Sequence, residues 1–260
     1  MPNQKIALIT GATAGIGQSC ARQFAQNGYQ LILTGRRADR LHALEQELSQ
    51  QYGTKTLALC FDIRQRAAVE QHINTLSPEW QAIDVLINNA GLAQGLDEFQ
   101  NANIDDWEVM IDTNIKGLLY MSRLVAPLMI KRAAGGHIVN VGSIAGKMTY
   151  PKGHVYCATK FAVDALTQAM RIDLLKHRIK VSSVSPGAAE TEFSIVRYKG
   201  DLDKATRVYE GYTPMTAEDI ADAVWYIVSR PAHLCIQDIV LTPVAQASAH
   251  YWAKDADIVK

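Results

Sequence analysis

The chain has 260 residues, of which 48% are hydrophobic and 20% charged, enough to bury the core of one large globular domain. Its 26 basic and 26 acidic residues balance, which argues against nucleic acid or an anionic membrane surface as a partner. The four cysteines, Cys20, Cys60, Cys157 and Cys235, form no Cys-x-x-Cys pair, so the sequence predicts neither a disulfide framework nor a metal site.

The first residues lead into an apolar run at Ile6 without a charged-then-apolar leader. No stretch approaches the ~20 apolar residues that a membrane-spanning helix needs. We therefore expect a cytoplasmic protein with reduced cysteines and no membrane partner.

Seven short apolar runs alternate with helix-length amphipathic segments along the chain. Strands that are apolar at nearly every position are typical of sheets covered on both faces, and the long connections suit crossover helices. The pattern predicts an α/β chain with a doubly wound, seven-stranded parallel sheet and helices on both faces, forming a single domain over residues 1–260. The predicted strands are KIALIT, LILTG, TLALCFD, IDVLINNAG, GHIVNVGS, IKVSSVSPG and CIQDIVLTP.

Residues 188–213 interrupt this alternation, because neither strand nor clear helix periodicity holds there. They lie between the strand that ends at Pro186-Gly187 and a helix predicted to start near Thr216. Long insertions in compact domains are often functional lids, and ligands bind beyond the carboxyl ends of parallel strands. We expect this segment to be a substrate loop.

The first strand is followed by TGATAGIGQ, which contains Gly11, Gly15 and Gly17 and leads into a predicted helix from about Ile16 to Asn27. Glycines at this position permit a tight turn and close approach of a pyrophosphate to the backbone, while the helix N-terminus attracts anions. The alternative is a glycine-rich strand-to-helix turn with no ligand.

The second strand ends at Gly35, where an enzyme that uses unphosphorylated NAD usually carries an acidic residue. Arg36 and Arg37 follow, and guanidinium groups bind phosphate bidentately, so the sequence favours NADP. The alternative is a solvated basic helix start.

Two further strand ends face the same predicted crevice. Asp62 and Ile63 follow the third strand, and Asp62 is a candidate acceptor for an adenine amine. The fourth strand ends at Asn88, with Ala90 and Gly91 after it, and Gly91 lets the backbone approach a ribose. Each of these is equally interpretable as a turn residue.

A candidate catalytic group follows the fifth strand. Ser143 ends that strand, and Tyr156 and Lys160 open the next helix on one face, because residues i and i+4 are neighbours. A nearby ammonium is expected to lower the pKa of a phenol and make it a usable acid and base, while Ser143 orients the substrate oxygen. Asn114, on the preceding long helix, is a candidate for holding a water beside Lys160. The alternative interpretations are that Ser143 is a helix cap or turn residue, that Tyr156 and Lys160 are an exposed pair, and that Asn114 is a hydrogen-bonded core amide.

Together these residues resemble the short-chain dehydrogenase/reductase superfamily over about residues 5–245. The matching motifs are Thr10-Gly11-x-x-x-Gly15-x-Gly17, Asn88-Asn89-Ala90-Gly91, Asn114, Ser143, Tyr156-x-x-x-Lys160 and Pro186-Gly187-x-x-x-Thr191. The resemblance implies a Rossmann sheet, a homotetramer and the Asn-Ser-Tyr-Lys roles given above. The expected cofactor-binding residues are Thr10, Gly11, Thr13, Gly15, Ile16, Gly17, Arg36, Arg37, Asp62, Ile63, Asn88, Ala90, Gly91, Tyr156, Lys160, Pro186, Gly187 and Thr191.

The chain is further similar to the NADP-dependent 3-hydroxy acid dehydrogenases, through IDTNIKGLLYM, TEFSIVRYKGD and VLTPVAQAS. That resemblance implies NADP(H) and small serine-like 3-hydroxy acids or 3-oxo acids. Ala14 stands where many NADP-using relatives carry a basic residue, which leaves phosphate recognition mainly to Arg36. Arg197, within residues 188–213, is a candidate partner for a substrate carboxylate. The competing hypotheses are a broad ketone or aldehyde reductase and a non-catalytic nucleotide sensor.

Overall fold

The computed structural model describes residues 4–255, and all seven predicted strands are present in it. The strands are β1 (Ile6–Thr10), β2 (Gln30–Gly35), β3 (Thr56–Cys60), β4 (Ile83–Asn88), β5 (Gly136–Val141), β6 (Ile179–Pro186) and β7 (Asp238–Leu241). They form one sheet in the order β3-β2-β1-β4-β5-β6-β7, with every neighbouring pair parallel. Strand order reverses between β1 and β4, which opens a crevice at their carboxyl ends. The predicted doubly wound sheet is confirmed.

Helices fill the connections between strands. They are α1 (Gly15–Gln26), α2 (Ala38–Tyr52), α3 (Arg66–Asn74), α4 (Ile104–Ile111), α5 (Leu118–Arg132), α6 (His154–Leu174), α7 (Phe193–Arg197), α8 (Leu202–Arg207) and α9 (Ala217–Val228). Short 3-10 turns lie at Pro78–Trp80, Phe99–Asn101, Ile144–Gly146 and Leu175–His177. Among residues 4–255, no helix is long and apolar enough to cross a membrane.

Both faces of the sheet are buried, as alternate residues of β1 show. Ala7 and Ile9 lie in a core cluster that includes buried residues of α1, α2 and α9. Ile6 and Leu8 lie in a second cluster that includes residues of α3 and α5. Because successive strand residues point to opposite faces, a fully apolar strand requires helices on both sides.

The predicted long helix after β4 is divided into three parts. Between α4 and α5, residues Asp112–Gly117 form a turn of π-helix that contains the buried Asn114. The side chain of Asn114 binds the backbone of Leu92 on both sides, donating to its carbonyl (2.8 Å) and accepting from its N–H (2.9 Å). π-turns inside α-helices are frequent at functional sites.

The segment from residue 188 to residue 213, called the lid below, contains two short helices, α7 and α8, where the sequence predicted irregular structure. Helices of five and six residues are too short to show a 3.6-residue hydrophobic period, which explains the difference. The lid ends at the predicted place, because Thr216 caps α9 in a reciprocal capping box with Asp219.

Candidate active site

A cavity of about 550 Å³ lies at the carboxyl ends of the strands, on the side where the lid begins. Most of the predicted site residues line it. They are Gly11, Thr13, Gly15, Ile16, Arg36, Arg37, Asp62, Ile63, Ala90, Gly91, Ser143, Tyr156, Lys160, Pro186, Gly187, Thr191 and Arg197. Four predicted residues, Thr10, Gly17, Asn88 and Asn114, lie behind this lining, so their contribution is to support it.

The glycine-rich turn is held closely against the end of β4. Gly11 has a positive φ of 68°, and a Cβ on Gly17 would lie 2.4 Å from the carbonyl oxygen of Gly11, so both positions exclude larger residues. The N-terminus of α1 begins beside this turn, and Ala14 offers it no side-chain cap. Its N–H groups and positive dipole end are therefore available to an anion.

Asn89, which belongs to the Asn-Asn-Ala-Gly motif but was not among the expected site residues, joins the glycine-rich turn to β4. Its side-chain amide donates to the carbonyls of Thr10 (2.9 Å) and Gly11 (3.2 Å). The buried hydroxyl of Thr10 accepts from the N–H groups of Asn89 and Ala90. Thr10 therefore fixes the crevice rather than facing a ligand. The repeated Asn in Asn88-Asn89 was the available signal.

Asn88 is also supporting rather than lining. Its amide donates to Ser122 and to Asn140, each at 2.9 Å, and Asn140 donates in turn to Thr167 (2.8 Å). These buried side chains connect β4, α5, β5 and α6 beneath the cavity. Buried hydrogen bonds of this kind fix the relative position of the elements that carry them, although the side-chain oxygen of Asn88 has no partner among the described residues.

The three arginines after β2 are bonded differently. Arg36 lines the cavity with its guanidinium 4.0 Å from the carboxylate of Asp62 and with more than half of its side chain exposed. Arg37 instead donates to Thr13 Oγ1 (3.0 Å) and to Glu192 (2.8 Å), and Arg40 donates to the other oxygen of Glu192 (2.5 Å). Arg36 is thus better placed than Arg37 to receive a phosphate.

Asp62 is more strongly engaged than the sequence suggested. Arg64 donates to it from its backbone N–H and from its guanidinium, at 2.6 to 3.0 Å. Burial alone would raise the pKa of Asp62, but these bonds hold it below its usual value. The carboxylate remains at the cavity wall as an acceptor with part of its capacity already used.

Ser143, Tyr156 and Lys160 meet on one wall of the cavity, called the catalytic wall below. The Oγ of Ser143 accepts from the N–H of Ala145 (3.1 Å) and donates to the carbonyl of Pro186 (3.4 Å). Lys160 is buried one helical turn after Tyr156 and donates from Nζ to the carbonyl of Val141 at the end of β5 (2.9 Å). Strand end and helix start therefore hold the three side chains together, as the spacing predicted.

The electrostatics of the wall differ from the expectation. Burial raises the pKa of Tyr156, and the influences that oppose this rise are the charge of Arg197 and the polar Ser143 side chain, rather than Lys160. Lys160 lies with Nζ 5.9 Å from the centre of the Tyr156 ring, and burial lowers its own pKa to about 8. A buried amine has a weakened tendency to stay charged, which reduces its effect on the phenol.

Asn114 lies behind the catalytic wall. Its amide donates to Thr159 Oγ1 (3.0 Å), which donates to the carbonyl of Tyr156 (2.7 Å), so it supports the first turn of α6. A Cβ on Gly91 would be 3.3 Å from the side-chain oxygen of Asn114 and 3.6 Å from Nζ of Lys160. Asn114 and Lys160 therefore both border the space beside Gly91 that a larger side chain would fill.

Arg197 on α7 faces the catalytic wall from the lid. Its guanidinium carbon lies 5.0 Å from the ring centres of Tyr156 and Phe193, and Nη2 donates to the hydroxyl of Tyr150 (2.8 Å). Within residues 4–255 no carboxylate forms an ion pair with Arg197, and its Nε is buried without a hydrogen-bond partner. Tyr150, which the sequence analysis did not select, precedes the Tyr156 motif by six residues and carried no distinct signal.

The C-terminal segment closes the far side of the cavity. Trp252 lines the cavity and packs on Tyr212 with ring centres 4.9 Å apart. Gln246 accepts from the N–H of Ala188 (2.9 Å) and so ties this segment to the start of the lid. A single Trp far from the motifs gave no sequence signal for this role.

Comparison with known proteins gives consistent matches over almost the whole chain. Residues 5–200 match the family model of the short chain dehydrogenases. The NADP-dependent 3-hydroxy acid dehydrogenase of Salmonella typhi is 48% identical over 94% of this chain and 97% of its own. Sulfoacetaldehyde reductase 2 of Chromohalobacter salexigens is 44% identical over 93% and 95%. A solved closed form of serine dehydrogenase complexed with NADP+ is 45% identical, with a TM-score of 0.88 over 94% and 97% of the two chains.

Proposed function

The chain belongs to the short-chain dehydrogenase family, and from this we propose that it is an NADP-dependent oxidoreductase of small 3-hydroxy acids. It would transfer a hydride between the cofactor and the 3-hydroxyl or 3-oxo carbon. The expected substrates are serine-like acids, L-allo-threonine and the pair of 3-hydroxypropionate and malonic semialdehyde. The observation that carries the choice of acids is Arg197, a cation without a carboxylate partner among the described residues, placed over the Tyr156 ring.

The residues at the nucleotide end fit NADP(H). The glycine-rich turn and the uncapped start of α1 would hold the pyrophosphate, and Arg36 would hold the additional phosphate. Asp62, Ile63, Ala90 and Gly91 would line the adenosine, and Pro186, Gly187 and Thr191 the nicotinamide end. When bound, the cofactor supplies or accepts the hydride, which no side chain can do.

The catalytic wall supplies the proton. Because burial raises its pKa, Tyr156 keeps its proton at neutral pH and is ready to donate it to a carbonyl oxygen. Ser143, on the same wall of the cavity, would orient that oxygen. Lys160 would hold the nicotinamide ribose and, with Asn114 behind Gly91, support proton exchange with solvent.

Arg197 would bind the carboxylate of the acid. A guanidinium matches a carboxylate with two parallel hydrogen bonds, and pairing would satisfy the buried Nε, which has no partner among residues 4–255. Since the guanidinium of Arg197 lies 5.0 Å from the centre of the Tyr156 ring, a carboxylate held there keeps the hydroxyl-bearing carbon, two bonds from the carboxyl carbon, beside the phenol.

A substrate panel tests this proposal directly. NADPH formation should be followed with 3-hydroxy acids, the matching alcohols without the carboxylate, and NAD in place of NADP. Higher catalytic efficiency on the acids supports the proposal, whereas equal efficiency on the uncharged alcohols favours a broad ketone or aldehyde reductase. Absence of turnover with every compound would instead favour a nucleotide sensor.

A second candidate is the reduction of a small sulfonated aldehyde. Arg197 would pair with a sulfonate as readily as with a carboxylate, because both present oxyanions to the guanidinium, and one relative is named a sulfoacetaldehyde reductase. NADPH consumption with sulfoacetaldehyde and with malonic semialdehyde, compared at equal concentrations, separates the two.

We also propose a homotetramer that works in the cytoplasm. Large apolar side chains are exposed on α6 and after it, at Phe161, Ile172 and Leu175, and at the sheet edge, at Val240 and Val244. Surfaces of this kind suit contacts between subunits. The four cysteines are free thiols. Light scattering gives the mass of the assembly, and cell fractionation gives its location.

A further inference from the structure

A network of charged side chains links the lid to the nucleotide end of the cavity. At its centre is Glu192, the residue immediately before α7. Arg37 binds one of its carboxylate oxygens and Arg40 the other. Arg37 also donates to the hydroxyl of Thr13 in the glycine-rich turn. One carboxylate therefore connects three separate segments of the chain.

The network is close enough along the chain to Arg197 to restrain the position of that side chain. Glu192 is the N-cap of α7, and Arg197 is the last residue of this five-residue helix. Fixing the position of Glu192 therefore restrains the position of Arg197. The backbone of Arg197 is held in turn by Gly95, whose N–H donates to its carbonyl (3.1 Å). Exposed ion pairs are individually weak, but a carboxylate shared by two arginines orders both of them at once.

The same network places the negative charge of Glu192 in the lining of the cavity that is expected to bind the cofactor phosphate. Glu192 and Arg37 line the cavity on the side of Arg36, whereas Arg40 lies outside the cavity lining. Burial alone would raise the pKa of Glu192, but the bonds from Arg37 and Arg40 lower it, so the carboxylate is charged at neutral pH. A carboxylate close to a phosphate weakens phosphate binding unless arginines compensate.

We propose that Glu192 is a positioning residue that fixes the lid for substrate binding at some cost in affinity for the cofactor phosphate. This inference rests on the proposed function for its substrate, a 3-hydroxy acid held by Arg197. It assigns opposite effects to one side chain. Loss of the carboxylate loosens α7 and harms binding of the acid, while Arg37, which lines the cavity, is no longer paired with Glu192 and becomes available to the phosphate.

The test is the Glu192→Gln variant, compared with the parent on a 3-hydroxy acid and on the matching uncharged alcohol. We expect the KM for the acid to rise by about 3- to 10-fold, the scale of a networked but partly exposed ion pair, with kcat nearly unchanged. The KM for the alcohol should stay constant. The dissociation constant for NADPH, measured by fluorescence titration, should fall.

A readout that needs no turnover keeps the inference separate from the proposed function. Trypsin cleaves after Arg197, Lys199, Lys204 and Arg207 in the lid. Glu192→Gln should be cut there several-fold faster than the parent in the presence of NADPH, at an unchanged melting temperature. If the parent proved inactive on 3-hydroxy acids, the proposed function would fail, but this cleavage result would still decide the role of Glu192.

Arg40→Met tests the network from outside the cavity, and Arg66→Met is a matched control. Arg66 forms an exposed pair with Glu70 on α3 (2.7 Å) and should leave the KM and cleavage unchanged. Arg40→Met should raise the KM for the acid less than Glu192→Gln does, and should add little when the two changes are combined. Equal increases in KM for acid and alcohol, an unchanged or weakened affinity for NADPH, or unchanged cleavage in Glu192→Gln would overturn the inference.

Discussion

The catalytic wall and the lid face each other across one cavity, yet different forces hold them. The wall consists of Ser143, Tyr156 and Lys160, on the end of a central strand and the first turns of a 21-residue helix. Tyr156 and Lys160 are buried, and hydrogen bonds to neighbouring backbone fix the side chains of Ser143 and Lys160. The lid consists of two short helices held by side-chain contacts to distant parts of the chain, such as Arg197 with Tyr150.

This difference separates the chemistry from the choice of substrate. Residues on long elements keep their geometry whatever binds, as proton transfer requires. Short helices held by a few polar contacts open at low free energy, as entry and recognition of a substrate require. Variants of the wall should therefore affect all substrates equally, and variants of the lid should affect one class of substrate.

The largest effect is expected at the wall. Tyr156→Phe removes the proton donor and keeps the ring, so kcat should fall by about 100- to 10,000-fold on every substrate, the usual worth of general acid–base catalysis. Affinity for NADPH should change less than twofold. Tyr150→Phe is the control, because it removes a nearby hydroxyl that contacts Arg197 rather than the reacting oxygen. Activity above a tenth of the parent level in Tyr156→Phe would rule out this role.

The next effect is expected in the lid and should be selective. Arg197→Met keeps much of the side-chain stem and removes the guanidinium, so catalytic efficiency on 3-hydroxy acids should fall by about 10- to 1000-fold. Efficiency on uncharged alcohols should be nearly unchanged. Lys199→Met is the matched control, since Lys199 lies in the same segment but pairs with Asp106 (2.8 Å). Equal losses on acids and alcohols would show that Arg197 shapes the lid without binding the carboxylate.

A third effect concerns the nucleotide end of the cavity, where variants should change the affinity for one cofactor, NADP, and leave the affinity for NAD unchanged. Arg36→Ala should weaken NADP binding by about 10- to 100-fold and leave NAD binding unchanged, because only the phosphate contact is lost. Adding Gly35→Asp, to hold the ribose of NAD, needs a second change: a Cβ at residue 35 would lie 2.6 Å from Cγ2 of Thr13. Thr13→Ser removes that methyl group and keeps the hydroxyl that Arg37 binds.

The dissociation constants of NADP and NAD for these variants measure the third effect. If Arg36→Ala bound NADP as tightly as the parent does, the phosphate would be held by Arg37 or Arg40 instead. In that case the pairing of both arginines with Glu192 would have to be released by the cofactor.

The sequence predicted the wall better than the lid for a physical reason. Tyr156 and Lys160 are four residues apart on one helix, so their proximity follows from helical geometry alone. Arg197 was selected, but its neighbour Tyr150 lies 47 positions earlier in the chain. The charge of Lys160 illustrates the same limit: the spacing predicted an ammonium that lowers the pKa of Tyr156. Burial, which only the packed structure reveals, weakens that effect.

The smallest effect is on the free energy of unfolding, and it would show how much burying the Lys160 amine in the catalytic wall destabilises the protein. Burial lowers the pKa of Lys160 from 10.5 to about 8, so keeping the amine charged in the folded protein costs free energy at neutral pH. Lys160→Met removes this cost together with the hydrogen bond to Val141. The free energy of unfolding without cofactor should therefore rise by about 1–3 kcal/mol at pH 7, even though activity is lost.

The pH dependence gives this last prediction its sign. Between pH 8 and 10.5 the unfolded parent binds more protons at Lys160 than the folded parent does, so this group makes parent stability rise with pH in that window. The gain in unfolding free energy of Lys160→Met over the parent should accordingly be largest below pH 8 and shrink toward pH 10.5, as urea unfolding at pH 7 and pH 10 would measure.

Lys147→Met is the contrasting control. Although burial acts against its charge, bonds to Asp164 and Asp238 raise the pKa of Lys147, so losing it should destabilise the protein at pH 7. If both lysine variants were destabilised alike, the buried amine of Lys160 would carry no cost, and its charge would be available to Tyr156 after all.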